Sequence, residues 1–194
     1  MIDEFLTITD CIGEGFYSEK RSKFLAFAIH LTSIDEVKKV LNSYRKKYYD
    51  ARHICYAYML GAERQTFRVN DDGEPSNTAG KPILGQINSK NLTDVLVIVV
   101  RYYGGVNLGT GGLIVAYRTA AADAISHSEI VKKKVEVLVR YTFDYPMLNN
   151  VMHVVKKFSA RIVEQKFDNT CTIILAIQPS QLELIKGQLD QLKF

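Results

Sequence analysis

Three consecutive segments decide the fold: DDGEPSNTAGKPILGQI at residues 71–87, VLVIVVRYY at 95–103 and GGVNLGTGGLIVAYR at 104–118. The apolar run from Val95 to Val100 contains no polar alternation, which predicts a strand buried on both faces. Arg101, Tyr102 and Tyr103 follow that strand. Polar side chains at a strand end indicate either a cleft or an exit to solvent, and spacing alone leaves both interpretations open.

A glycine-rich bend follows the strand and precedes an alanine-rich helix, predicted from Leu113 to about Ser126. Its glycines are Gly104, Gly105, Gly109, Gly111 and Gly112. Glycine permits close backbone approach, and the first turn of a helix carries unpaired N–H groups, so the bend is suited to hold a phosphate or carboxylate. The alternative is that the glycines only let strand and helix pack closely. The spacing is neither G-x-G-x-x-G nor a Walker motif.

An acidic turn lies upstream, before a helix predicted from Ser76 to Ile87. Carboxylates stabilise helix N-termini, so capping explains much of the turn at Asp71 to Pro75. The alternative is metal binding or acid/base chemistry by Asp72 and Glu74. The segment is too short for a calcium-binding loop of the helix-loop-helix type.

Together these residues resemble the YigZ/IMPACT family. The resemblance is carried by DDGEPSNTAGKPIL and VVRYYGGVNLGTGGLIVAY, and also by SEKRSKFLA at 18–26 and ARHICYAY at 51–58. It covers residues 14–125 and extends more weakly into the small C-terminal domain usual in bacterial members. Asn77 stands where the family usually has glycine, and Asn107 stands where lysine is frequent. Asparagine tolerates the left-handed conformation, so we expect the turn at Asn77 to persist.

The hydrophobic periodicity and the positions of turn residues predict an α+β sandwich in the first part of the chain. Ser33 is a predicted N-cap, with Glu36 completing a capping box, for a helix to about Tyr48. The predicted strands are Thr7–Tyr17, Lys23–Leu31, Ile54–Leu60 and Thr66–Asn70, the last two forming a hairpin around Gly61. We expect a first domain at residues 1–127, and the family resemblance implies that it is similar to the second domain of ribosomal protein S-five.

A second domain is predicted at residues 131–194. The pattern predicts strands at 131–143, 160–167 and 171–178 and helices at 146–158 and 180–192. This β-α-β-β-α order is ferredoxin-like but lacks a last strand, which would fall where the sequence ends at Phe194. The family resemblance implies similarity to domain V of elongation factor G.

Composition and charge set limits on the function. A chain of 194 residues with 47% hydrophobic content can bury one large or two small cores, and no segment is long enough to span a bilayer. The N-terminal MIDEFLTITD lacks a signal-peptide pattern, so we expect a cytoplasmic protein without membrane contact. Cys11, Cys55 and Cys171 have neither disulfide nor zinc spacing, and no metal or cofactor is predicted. A formal charge of +4 is compatible with nucleic-acid binding but does not require it.

The resemblance implies a non-enzymatic, translation-associated regulatory protein that binds RNA or a ribosome-associated partner. The eukaryotic IMPACT branch restrains the amino-acid-starvation kinase pathway by competing for a ribosome-associated activator. We expect electrostatic contacts from Lys81, Arg101 and Arg118, stacking by Tyr102, and anion binding by the amides of Gly109 to Gly112. The full candidate set is His53, Asp72, Glu74, Lys81, Arg101, Tyr102, Gly104, Gly105, Gly109, Gly111, Gly112 and Arg118.

Two other functions stay open at this point. One is a small-molecule phosphotransferase or hydrolase, with Asp72 or Glu74 as acid/base and the glycine bend holding an anionic small molecule. The other is a protein-interaction module whose loops form a docking surface. The sequence predicts that the acidic turn and the glycine bend meet at one end of a covered sheet, and it leaves the oligomeric state open.

Overall fold

The computed structural model describes residues 2–168 and 170–192, and the chain divides into two compact units. The first is Phe5–Lys133, and the second runs from Lys134 onward together with the residues before Phe5. Around the first unit the elements in chain order are β1 Glu4–Ile8, β2 Gly13–Glu19, β3 Ser22–His30, α1 Ile34–Lys47, β4 His53–Leu60, β5 Thr66–Asn70, α2 Gly80–Ser89, β6 Val95–Tyr102, α3 Gly109–Ser126 and β7 Ile130–Lys134.

The core of the first unit is an antiparallel sheet in the order β2-β3-β6-β4-β5. Its central strand is β6, in which every residue from Val95 to Val100 is fully buried. Val95, Val97 and Val99 pack with α2 and α3 on one face. The alternate residues of β6 pack against α1 on the other face. The prediction of a strand buried on both faces is therefore confirmed, and the fold class is α+β.

The strands at both ends of the first unit differ from the predicted ones. The strand expected at Thr7–Tyr17 is two strands, because β1 pairs with β7 whereas β2 pairs with β3. The strand expected at 131–143 divides for the same reason. Its first part is β7, and its second part pairs with a strand of the other unit. In both places the two parts of the predicted strand pair in different sheets, and the strand is interrupted between them.

The loop before α2 is longer than predicted. The helix expected from Ser76 begins instead at Gly80. The carboxylate of Asp71 accepts the N–H groups of Asn77, Ala79 and Gly80 at 2.9, 3.0 and 2.8 Å, which closes residues 71–80 into a compact turn. Asn77 adopts a φ of 64°, as its tolerance of that region predicts. By contrast, the capping box of Ser33 and Glu36 on α1 is confirmed.

The second unit contains β8 Val137–Asp144, α4 Leu148–Lys157, β9 Arg161–Lys166, β10 Thr170–Ile177 and α5 Leu182–Gln191, with a single 3-10 turn before each helix. The strands form an antiparallel sheet in the order β8-β10-β9. Val139, Tyr141 and Phe143 alternate inward and pack against both helices. This is the predicted β-α-β-β-α order. The predicted absence of a last strand concerns the end of the chain, where residues 193–194 lie outside the described residues.

The boundary between the two compact units falls after Lys133. This is a few residues beyond residues 128–130, which separate the two predicted domains. The first unit keeps β7 because that strand pairs with β1. The domain limits 1–127 and 131–194 stay a prediction about which segments fold independently.

Candidate functional site

A cavity of about 690 Å³ lies in the first unit where β4 begins and β6 ends, beside the start of α3. Its volume is in the range typical of small-ligand sites. The lining residues come from the acidic turn, the two strands and the glycine-rich bend: Arg52, His53, Glu74, Pro75, Arg101, Tyr103, Asn107, Leu108, Gly109, Thr110 and Leu113. The acidic turn and the glycine bend thus meet at one end of the covered sheet.

Arg101 forms part of the buried wall of the cavity. Because residues alternate along β6, Arg101 points to the same face as Val99, the face covered by α2 and α3. Its side chain is only 6% exposed, and Nη1 donates to Oε1 of Glu74 at 2.5 Å. The guanidinium carbon lies 5.5 Å from the ring centres of both Phe24 and Tyr103. A buried guanidinium requires a compensating carboxylate, which Glu74 supplies.

Glu74 joins the acidic turn to the core. Its side chain is 3% exposed, and the same Oε1 accepts the hydroxyl of Tyr117 at 2.8 Å and lies 3.8 Å from Nε2 of His53. The Tyr117 hydroxyl in turn accepts the thiol of Cys55 at 3.3 Å. Burial raises the pKa of both the Tyr117 phenol and the Cys55 thiol, so both groups stay protonated and available as donors.

Two arginines lie beside each other at the cavity. Nε of Arg101 has no hydrogen-bond partner among the described residues, but the atom is fully buried. The backbone N–H of Arg52 donates to the carbonyl of Arg101 at 3.0 Å, which fixes the exposed Arg52 beside it. The structure therefore places one exposed cation at the cavity, an arrangement suited to an anionic ligand.

The start of α3 adds backbone donors to the same cavity. The helix begins at Gly109, four residues before the predicted start, and Gly109 has a φ of 72°, a conformation that favours glycine. Gly109 and Thr110 line the cavity. No described side chain caps this helix start. Its first N–H groups carry a partial positive charge toward the cavity.

The other acidic candidate has a structural role. Oδ2 of Asp72 accepts the N–H of Ile54 at 2.7 Å, and Oδ1 lies 3.9 Å from Nη2 of Arg45. Its backbone carbonyl accepts Nδ1–H of His53 at 2.7 Å, which orients the imidazole at the cavity. Asp72 is not among the lining residues. Within the described residues no cluster of His, Cys, Asp and Glu is arranged to hold a metal ion.

The structure separates Tyr102 from the cavity and places Tyr103 there instead. Tyr102 points to the α1 face, where its ring packs against that core and its hydroxyl donates to Asp50 at 2.9 Å. Tyr103 follows Arg101 by two residues, lines the cavity and is 47% exposed. Of the two tyrosines, Tyr103 is therefore the one placed at the cavity, whereas the stacking role predicted for Tyr102 stays a prediction.

Most of the candidate glycines, and the remaining basic candidates, do not line the cavity. A Cβ on Gly104 would lie 2.2 Å from the backbone carbon of Arg21, so this glycine permits close packing of two chain segments. Among the candidates, the cavity includes His53, Glu74, Arg101 and Gly109. The candidates outside its lining are Asp72, Lys81, Tyr102, Gly104, Gly105, Gly111, Gly112 and Arg118.

Sequence reasoning missed several lining residues: Arg52, Pro75, Tyr103, Asn107, Leu108, Thr110 and Leu113. The alternation of β6 was a signal for Tyr103, because that residue shares a face with Arg101. Arg52 required knowledge that the start of β4 pairs beside the end of β6, a long-range contact that periodicity does not reveal.

The fold and the cavity define a two-domain α+β protein with a recess at one end of its larger sheet. The Impact N-terminal domain family matches residues 20–125. The chain is 31% identical over 174 residues to an IMPACT family member of Haemophilus influenzae, covering 89% of this chain and 84% of the relative. It is 30% identical over 174 residues to the IMPACT family member YigZ of Escherichia coli, covering 88% and 84%.

A solved structure shares the whole architecture. It is the crystal structure of a hypothetical protein, with a TM-score of 0.71, 26% identity, and coverage of 98% of this chain and 93% of that one. This protein belongs to the IMPACT family, and the predicted resemblance is confirmed. None of the helices in the described part of the chain has the length and apolar character needed to cross a membrane.

Proposed function

We propose that this protein is a non-enzymatic, translation-associated regulator that binds RNA or a ribosome-associated partner through the cavity of its first unit. The translation link comes from kinship with the IMPACT family. The ligand chemistry comes from the cavity itself. The cytoplasmic location expected from the sequence stays a prediction.

One observation carries the proposal: the cavity brings an exposed arginine together with the uncapped start of a helix. Arg101 lines the same cavity, but the residue is 5% exposed and its guanidinium is paired with Glu74. Arg52 adds a second cation at the same cavity, and the start of α3 adds backbone donors. This donor set favours an anion such as a phosphate.

The alternative, an acid/base enzyme, gains no comparable support. It requires a carboxylate free to exchange protons with a substrate. Asp72 holds the backbone of Ile54, and Oε1 of Glu74 accepts both Arg101 and Tyr117. Both carboxylates therefore serve the protein's own structure, and we do not propose this activity.

The direct test is the affinity of the full chain for single-stranded RNA as a function of salt. Each phosphate contact should contribute a slope of about −0.7 in a plot of log affinity against log salt concentration. Arg52→Ala should reduce the magnitude of the slope by about that amount, because it removes one exposed cation at the cavity. Arg68→Ala is the matched control, since Arg68 is exposed on β5 but does not line the cavity.

A flat salt response, or equal effects of the two arginine variants, would contradict RNA binding at this cavity. Capture of ribosomal fractions on immobilised protein, with and without nuclease, then separates the two kinds of partner. Capture that persists after nuclease treatment and fails for Arg52→Ala identifies a protein partner at the cavity. Loss of capture on nuclease treatment identifies RNA.

A further inference from the structure

We infer that the cavity binds one nucleotide unit that carries a phosphate monoester, with the phosphate at the start of α3 and the base on Tyr103. This inference rests on the proposed function and specifies the ligand of the same site. Two sets of lining groups with different chemistry support it, one cationic and one aromatic.

The groups proposed for the phosphate are the positively charged ones. Gly109 and Thr110, in the first turn of the 18-residue helix α3, line the cavity and lack a side-chain cap among the described residues. Aligned peptide dipoles give such a helix start about half a positive charge. Arg101, nine-tenths buried and with an unpartnered Nε, lines the same cavity. Arg52 adds an exposed guanidinium.

Glu74 neutralises Arg101 but not the other positive groups at the cavity. Its carboxylate is already paired with Arg101 at 2.5 Å and accepts the Tyr117 hydroxyl at 2.8 Å. The ion pair is neutral as a unit, which leaves the Arg52 cation and the helix start to act on a ligand. A phosphate monoester carries up to two negative charges and several acceptor oxygens, and it suits such a donor set better than a carboxylate does.

The groups proposed for the base are aromatic and apolar. The Tyr103 residue is 47% exposed, and its ring lies 5.5 Å from the guanidinium carbon of Arg101. Its hydroxyl donates to Oδ1 of Asn107 at 3.2 Å, which restrains the ring. Leu108 and Pro75 add apolar lining. A restrained aromatic ring with an exposed surface is the platform on which proteins stack nucleic-acid bases.

The size of the cavity selects a single nucleotide rather than a strand. At about 690 Å³ it is a compartment for one small ligand, whereas proteins that bind strands without sequence preference use a groove spanning several nucleotides. The ligand has two sources with the same chemistry: a free nucleoside monophosphate, and the phosphorylated end of an RNA chain.

The test is calorimetric titration of the full chain with AMP, adenosine and inorganic phosphate. AMP should bind at least about tenfold more tightly than adenosine, because the charge-assisted bonds to phosphate are lost in adenosine. Arg52→Ala should weaken AMP binding by about tenfold. Tyr103→Leu should weaken AMP binding and leave the affinity for inorganic phosphate unchanged.

Arg68→Ala should leave the affinity for AMP unchanged, since that exposed residue of β5 lies outside the lining. Arg101 is unsuitable for this experiment because its removal would leave Glu74 buried and uncompensated. The inference is overturned if AMP binds no more tightly than adenosine. It is also overturned if Arg52→Ala and Arg68→Ala have the same effect.

A second set of titrations identifies the source of the nucleotide and keeps this inference separable from the proposed function. The probes are one RNA sequence in three forms: 5′-phosphorylated, dephosphorylated and circular. Tighter binding of the phosphorylated form, competed by AMP, assigns the RNA end as ligand. AMP binding without RNA binding assigns a free nucleotide and overturns RNA binding as the function. Equal binding of all three forms, without competition by AMP, overturns this inference and leaves RNA binding intact.

Discussion

At the scale of single residues, the site depends on one buried ion pair. Glu74 and Arg101 have side chains that are 3% and 6% exposed, and the carboxylate also accepts Tyr117. Removing one member of a buried pair leaves the other charge desolvated without compensation. The acidic turn therefore matters to the cavity mainly because it delivers Glu74 to Arg101.

The first prediction is that Glu74→Gln lowers the free energy of unfolding by about 3–5 kcal/mol. Urea unfolding of the full chain, followed by circular dichroism, measures the change. Asp35→Asn is the matched control, because the Asp35–Lys38 pair lies on the surface with side chains 83% and 69% exposed. Exposed pairs contribute little, so that variant should change stability by less than about 1 kcal/mol. Equal losses in the two variants would contradict the role of the buried pair.

The second prediction concerns alkaline pH and the buried phenol of Tyr117. Burial raises the pKa of Tyr117 above its ordinary value of 10.0, so the unfolded chain loses this proton at lower pH than the folded chain does. The corresponding stability is present below pH 10.0 and decreases as the pH rises further.

Tyr117→Phe should therefore reduce the steepness of this decrease by about 1.4 kcal/mol per pH unit. Tyr44, whose pKa burial raises to about 12, packs against the core on the other face of the sheet and contributes equally in both proteins. Cys55, whose pKa burial also raises, contacts the Tyr117 hydroxyl, so both proteins carry Cys55→Ala in this comparison. The measurement is urea unfolding at a series of alkaline pH values. Parallel curves for the two proteins would show that Tyr117 is not desolvated in the fold.

At the scale of elements, the sheet and α3 are in close contact through β2. A Cβ on Gly15 would lie 2.3 Å from the backbone nitrogen of Ala124 and 2.8 Å from the carbonyl oxygen of Ala120. These are backbone atoms, so the contact can be relieved only if helix and strand move apart. Gly15 is needed for this approach of strand to helix.

The third prediction follows from that contact. Gly15→Ala should destabilise the protein by at least about 1–3 kcal/mol, because it overpacks a backbone–backbone contact. Gly85→Ala is the control: Gly85 lies inside α2 with nothing within 4 Å of its added Cβ, so it should gain about 0.5–1 kcal/mol. Thermal unfolding of both variants checks the opposite signs. A stable Gly15→Ala variant would contradict the close packing.

The helices and strands could be predicted where a local sequence pattern determines their position. Ser33 and Glu36 placed the start of α1 because a capping box is a local pattern, and the apolar run of β6 identified the central strand. The start of α2 could not be predicted in this way. Its N–H groups are capped by Asp71, which lies nine residues before Gly80, and no local helix signal reports so distant a cap.

The structure places some of the predicted site residues at the cavity and others away from it. The sequence identified both loops and His53, Glu74, Arg101 and Gly109, all of which line the cavity. Tyr102 was chosen over Tyr103 although strand alternation already opposed it. Arg52 depends on the pairing of two distant strands, which periodicity leaves undetermined.

At the scale of the whole molecule, each of the two units has its own apolar core. The cores on the two faces of the larger sheet belong to the first unit, and the core around Val151, Ile173 and Ile185 belongs to the second. A unit with its own core is expected to fold alone. Because β1 pairs with β7, a fragment of the first unit has to include β7 to keep this pairing.

The fourth prediction is that a fragment of residues 1–134 folds without the second unit and is more stable than a fragment of residues 1–127. The shorter fragment lacks β7 and with it the bond from Thr9 N–H to the carbonyl of Glu129 at 3.0 Å. The lost pairing should lower the free energy of unfolding by about 2 kcal/mol, at about 1 kcal/mol per hydrogen bond. Urea unfolding of both fragments tests this, and equal stability would support the limit at residue 127 instead.

The central claim is that an anionic nucleic-acid ligand occupies the cavity between the acidic turn and the glycine bend. The most direct test is titration of isotope-labelled full-length protein with 5′-phosphorylated RNA while amide resonances are followed by NMR. The account predicts that the largest shifts fall on Arg52, His53, Gly109 and Thr110, and that Arg52→Ala suppresses them. Shifts concentrated on the basic and aromatic end of α1 at residues 44–49, or on the second unit, with these amides unmoved, would contradict it.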